Sequence, residues 1–371
     1  MILNAQFLLV SATVISSGAY AQNAFPGALG FGAVATGGNS GTTYHVTNLN
    51  DAGTGSFREA VSASNRNIVF DVGGYILLRS VVWLSSDITI NGQTAPSSGI
   101  GIMGGEVSAS NRNNIIIRNL RMRQGTLDPD TGKSVFNMNS ASNIILDHCS
   151  FAYGQWDTVD AVGAINITVS NSIIAFPIGQ QFGAHVETGP STFYGNLWVS
   201  AHNRQALSKG NTQFINNVVY NYQAAYTSGN SVGGFSHDII NNYFIAGPST
   251  ARTSDAYYQM NPDQSVYATG NYIDSSKDGR LNGAASNTVG SSTELSAPWA
   301  GTSPSMAKLT AAQAVSAVFD NAGASPRDEV DAFAVSTAQS LGKSGMLYTN
   351  EASTGLSNRG YGTLNTTAPK S

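Results

Sequence analysis

Apolar residues recur along this chain in short β-branched runs that reach one polar residue and resume after it. The pattern appears in NIIIRNLRMR (114–123), NIILDHCSFAY (143–153), NITVSNSIIAF (166–176), FYGNLWVS (193–200), FINNVVYNY (214–222), IINNYFIAG (239–247) and YATGNYIDS (267–275). With Asn119, Ser150, Ser172, Asn196, Asn217, Asn242 and Asn271 taken as equivalent, the steps are 31, 22, 24, 21, 25 and 29 residues. Unequal steps exclude a rigid repeat such as a leucine-rich one. They predict an all-β protein, a right-handed single-stranded parallel β-helix whose coils hold their strands in register while the loops vary. Strands stacked about 4.8 Å apart place like residues above like. Asn recurring at a bend then forms an amide ladder in which donors and acceptors satisfy one another.

A solenoid needs a cap at each end. SFREAVSAS, from Ser56, predicts an N-terminal capping helix: Ser56 and Glu59 have capping-box spacing, and Phe57, Ala60 and Val61 form an apolar stripe. After about residue 285 the rhythm stops, and residues 286–371 read as a helix and loop extension packed back along the outside. At the other end, residues 1–21 carry an apolar run from Phe7 to Ile15 followed by Ala19-Tyr20-Ala21, a small-x-small cleavage site. That pattern predicts a signal peptide and a secreted, extracellular protein. The expected organisation is therefore 1–21 signal peptide, 22–285 catalytic β-helix and 286–371 extension.

Composition narrows the partners. Only 11% of the 371 residues are charged and the net charge is -4, which argues against a nucleic-acid protein that binds by bulk electrostatics. No later stretch is long and apolar enough to span a bilayer, so no membrane partner is expected. The single cysteine, Cys149, permits no intramolecular disulfide and reads as a buried filler. A capped solenoid is expected to be a monomer.

Against this sparse background SAHNRQALSKG (200–210) places Arg204 and Lys209 five positions apart. Asp147 ends the ILD run, and Asp157 and Asp160 follow in GQWDTVDAVG. Stacked coils would bring the three carboxylates to one patch beside Arg204 and Lys209. Clustered carboxylates repel unless a proton or metal intervenes, and oxygen-only ligands without a His or Cys partner suit a hard cation, Ca²⁺ best. The plain alternative is three separate solvated or turn-capping Asp residues. His45, His148, His185, His202 and His237 lack metal-ligand spacing, and only His202, near Arg204, invites a test.

AFPGALGFGAVATGG (24–38), YHVTNLNDAGTGSFREAV (44–61), IVFDVGGYILL (68–78), ITINGQTAP (88–96), DHCSF (147–151) and NNYFIAGPST (241–250) resemble the secreted pectate lyases of polysaccharide lyase family one. The resemblance covers roughly residues 24–285, with NAGASPRDEVDA (321–332) in the tail. It implies a β-helix that cleaves polygalacturonate, the acidic polysaccharide of plant cell-wall pectin, by Ca²⁺-dependent β-elimination. It further implies that Asp147, Asp157 and Asp160 are calcium ligands, that Arg204 is the base and that Lys209 binds a substrate carboxylate. Because Arg is ordinarily protonated, an alkaline optimum is expected.

The family's R-x-P-x-x-R motif reads Arg204-Gln-Ala206-Leu-Ser-Lys209 here, and the Lys that many members carry after the NSII strand is missing. Gln180, Gln181 or His185 would fill its place. These departures leave open a lyase acting on pectin or rhamnogalacturonan, or a carbohydrate-binding β-helix without catalysis. The N-T-D, D-D, G-H-G and R-I-K blocks of polygalacturonases are absent. DSSKDGRLNGAA (274–285) resembles an EF-hand-like loop: Asp274, Asp278 and Asn282 stand at ligand positions, but position twelve is Ala285, so a weak second site is expected.

Overall fold

The computed structural model describes residues 23–127, 133–229, 233–251, 256–299, 306 and 309–366. The expected signal peptide, residues 1–21, lies outside them. The chain winds as a parallel β-helix. A sheet of 16 strands runs in chain order from Thr42–Val46 to Thr293–Glu294, and a sheet of 10 short strands runs from Gly74–Leu77 to Tyr272–Asp274 with Ala284–Ala285 at its end. Every pairing is parallel except Tyr272–Asp274 with Ala284–Ala285. Pairing therefore continues past 285, to Thr293–Glu294 beside Ser265–Thr269, a few residues beyond the boundary the sequence suggests.

The expected ladder stands at the bend between the sheets. Asn196 donates to Asn217 Oδ1 at 3.0 Å, Asn217 to Asn242 at 3.2 Å, Asn242 to Asn271 at 2.9 Å and Asn271 to Asn287 at 3.2 Å. Inside, Ile90, Ile117, Leu146, Val169, Phe193 and Phe214 belong to a continuous apolar core. Four-residue helix Phe57–Ala60 closes the N-terminal end, with Phe57 and Val61 fully buried. Ser56 Oγ caps it by accepting from Glu59 N at 3.2 Å. The reciprocal half of the box is not formed: Glu59 Oε2 instead accepts from Tyr44 Oη at 2.6 Å and Gly55 N at 2.8 Å.

In the tail, helices Ala311–Asn321 and Glu329–Gln339 lay Ala314, Val315, Val318, Ala334 and Val335 against Ile173, Leu197, Val199, Val218 and Ile245 of the short-strand sheet. The tail thus covers one face of the solenoid. The face opening from the first half of strand Asp157–Ser170 belongs to the other sheet.

Candidate active site

Strand Asp157–Ser170 is 14 residues long and its register shifts between Ala161 and Ala164, so it serves two successive faces. Its first half pairs Asp157 with Phe182 and Asp160 with His185, and the next strand pairs Glu187 with Lys209. Asp157, Asp160 and His185 offer ligand atoms within 4.8 Å of one another.

Arg204 comes to this cluster from the following coil. Its backbone is left-handed (φ 63°), a conformation that costs a non-glycine residue about 1 kcal/mol. The guanidinium lies 3.8 Å from the centre of the Phe182 ring, and one Nη donates to both oxygens of Asp157 at 2.8 and 3.0 Å. Asp157 is fully buried. Burial, with the neighbouring Asp160 adding to it, pushes Asp157 up to about 7 although Arg204 opposes the shift. Burial also raises Asp160, despite the Asn139 amide donating to Oδ2 at 3.0 Å. The other oxygen, Asp160 Oδ1, is buried with no hydrogen-bond partner among the described residues.

Lys209 arrives on the same face, but its partner is Glu187, at 3.1 Å. His185 Nε2 stands 3.0 Å from that same Glu187 oxygen, and His185 Nδ1 is 3.8 Å from Asp157. Burial, then Arg204 and Lys209, pulls His185 down to about 4, so the ring is neutral at neutral pH. Although burial works against it, Lys209 and His185 hold Glu187 below the usual carboxylate range. Glu187 is the member of this site that the sequence reading missed. Its signal was present: His185 and Glu187 alternate on one strand face, and Glu187 precedes Lys209 by one coil step of 22 residues.

The expectation that Asp147 joins the carboxylate patch is corrected by the register. Asp147 pairs with Ser170, at the opposite end of the strand that begins with Asp157. There it accepts from Ser170 Oγ at 2.8 Å and Asn171 at 3.0 Å, and lies 2.8 Å from His148 and 3.4 Å from Arg118. It is a buried hub at a turn. Gln181 is likewise committed elsewhere, its amide donating to Tyr348 O of the tail at 2.6 Å. The backbone of His202 links coils, donating to Gln181 O and accepting from Gln223 and Ala224 N, which makes it a positioning element beside Arg204.

In the loop after strand Tyr272–Asp274, Ser276 Oγ stands 2.7 Å from Asp274 Oδ1, 3.1 Å from Asp278 Oδ1 and 3.0 Å from Asn282 Oδ1. The three expected side chains do converge. Position twelve is spent differently: Ala285 pairs with Tyr272 in an antiparallel strand.

No family model matches the chain. Among characterised sequences, a probable pectate lyase C of Neosartorya fischeri is 41% identical over 373 residues, spanning 98% of this chain and 87% of that protein. One of Aspergillus terreus is 40% identical, spanning 90% and 81%. Among solved structures, a thermostable pectate lyase superposes with a TM-score of 0.60 at 17% identity, over 80% of this chain and 96% of that one. A pectate lyase bound to hexasaccharide gives 0.59 at 16%, over 80% and 96%. These two establish the fold. Sequence identity sustained over nearly the whole length establishes the kinship, and this chain belongs to the pectate lyase family.

Proposed function

We propose that the chain is a polysaccharide lyase that cleaves polygalacturonate by Ca²⁺-dependent β-elimination, leaving unsaturated oligogalacturonides. The observation that carries this reading is Arg204, stacked on Phe182 and bonded to buried Asp157 on an open sheet face beside Asp160. Asp157 and Asp160 would hold the cation. Both offer hard oxygen donors, Asp160 Oδ1 is buried without a hydrogen-bond partner among the described residues, and water and substrate oxygens would complete the shell that Ca²⁺ requires. When bound, Ca²⁺ would neutralise the uronate carboxylate and acidify the proton on its α carbon.

A guanidinium accepts no proton while it is charged, so Arg204 takes the proton only in its neutral form. The base takes the α proton, and the C–H electron pair becomes the carbon–carbon double bond. The bond to the glycosidic oxygen breaks, and that oxygen leaves with a proton from solvent. Lys209 would pair with a substrate carboxylate in exchange for Glu187, with His185 and His202 lining the same groove. The reading includes secretion through residues 1–21, residues 22–285 as the catalytic unit, 286–371 packed on it, and a monomer. Asp274, Asp278 and Asn282 would form a weaker second calcium loop.

Ultraviolet absorbance of unsaturated uronate product, followed with Ca²⁺ and then with chelator, tests the proposal. Product should require Ca²⁺, and Arg204→Ala should slow its release at least about 100-fold, the usual worth of a general base. Product undiminished by chelator, or by the substitution, would overturn it.

A further inference from the structure

Trp83 is 56% exposed, more than any other large apolar side chain among the described residues. Its place in the register is what gives the exposure meaning. Trp83 pairs with Ser108, Ser108 with Asn137, Asn137 with Asp160 and Asp160 with His185. The preceding residues on these strands, Val82, Val107, Phe136, Val159 and Ala184, are all fully buried in the core. Alternation along a strand then turns the whole row from Trp83 to His185 away from the core. Trp83 is three strand steps from Asp160, ~14 Å at the usual spacing, which is the reach of a short run of sugar units.

The segment that presents Trp83 is held firmly. Arg58 donates to Val81 O at 2.7 Å, to Ser80 O at 3.0 Å and to the Asp51 carboxylate at 2.6 Å, and the strand pairs through Val82 and Leu84 N–H groups. Exposed Arg79 lies on the same segment. At the Arg204 end a second exposed indole, Trp156, meets Phe182 edge-on at 6.0 Å between centroids. An open indole face suits the C–H face of a pyranose ring, and a cation four residues earlier on the same segment suits a uronate carboxylate. We infer that Trp83 and Arg79 form a distal subsite for the same uronic-acid chain that crosses Arg204, so that the polymer lies along the solenoid axis.

The inference rests on the lyase reading for its substrate, and its test separates the two. Wild type, Trp83→Ala and Trp83→Tyr are compared on polygalacturonate and on trigalacturonate, by product absorbance and by retardation of the protein in gels containing polygalacturonate. Trp83→Ala should lower the ratio of kcat/KM on polymer to that on trigalacturonate about tenfold, the size of one aromatic stacking contact. It should also run less retarded, and Trp83→Tyr should recover most of both. An unchanged ratio, or an equal fall on both substrates, would overturn the subsite. If the wild type forms no product yet is retarded and Trp83→Ala is not, the lyase reading falls and the subsite stands. A wild type that is neither active nor retarded sinks both.

Discussion

At the scale of single residues, the face that carries Arg204 and Lys209 is a set of charges already paired among themselves. Arg204 is held by Asp157, and Lys209 by Glu187. A uronate carboxylate that seeks Lys209 must displace a resident carboxylate of the same charge. Glu187→Gln removes that competitor without removing bulk. Lys209 is 21% and Glu187 32% exposed, so the pair's worth is at the modest end for ion pairs. We expect KM for de-esterified polygalacturonate to fall about threefold, with little change for methyl-esterified pectin, in steady-state assays on the two polymers. A second residue bears on stability. His237 is fully buried between Tyr226 Oη and Gln264 Oε1, each at 2.8 Å, and burial pulls its pKa down to about 4. The unfolded chain, with His near 6.5, binds the extra proton first. This contribution is therefore complete above about 6.5 and is lost as pH falls toward 4. It amounts to about 3 kcal/mol. Melting temperatures between pH 7.5 and pH 4.5 should fall further for the wild type than for His237→Gln, which keeps a polar group and cannot titrate.

At the scale of the element, the Asn ladder turns one bend into a cooperative column. Asn217 accepts from both the backbone and side-chain nitrogens of Asn196 and donates to Phe193 O and Asn242 Oδ1. Asn217→Ala should cost about 2–4 kcal/mol in urea unfolding, because buried donors on the neighbouring coil lose their acceptor. That column was legible in the sequence because a side chain repeated at coil spacing meets its own copies. The site was legible only where the same arithmetic applied. Asp160 to His185 is 25 residues and Glu187 to Lys209 is 22, each one coil. Asp147 to Asp157 is 10, less than half a coil, so the two cannot stack, and Asp147 meets Ser170 instead. Coil stacking argued without this arithmetic, and then the family motif, both place Asp147 in the calcium set. The orientation of Gln181 was not legible at all, since its partner Tyr348 lies 167 residues away.

At the scale of the molecule, the tail is fixed to the solenoid by charges as well as by its apolar stripe. Arg121 and Arg123, both fully buried, face Asp328 and Asp331. Arg123 reaches Asp331 at 2.6 Å and Asp328 at 3.3 Å, and Arg121 stands 3.5 and 3.7 Å from the same pair. Tyr75 Oη donates to Asp328 at 2.5 Å and Ser150 Oγ to Asp331 at 2.9 Å. Two cations and two anions balance, so the cluster tolerates burial only as a whole. Arg123→Met strands negative charge in the interior and should cost about 3–5 kcal/mol, whereas Arg123→Met with Asp331→Leu should recover most of that loss. Urea unfolding measures the energies, and limited proteolysis should show residues 309–366 cut first in the single variant. The same tail carries Tyr348, whose carbonyl holds Gln181 immediately before Phe182, the ring beneath Arg204. Loosening the clamp should therefore reach the face that carries Arg204. Arg123→Met should lower kcat on polygalacturonate in step with tail cleavage, and the double variant should restore it. Full activity in the single variant with its tail cleaved would mean that Arg204 is positioned by the solenoid alone.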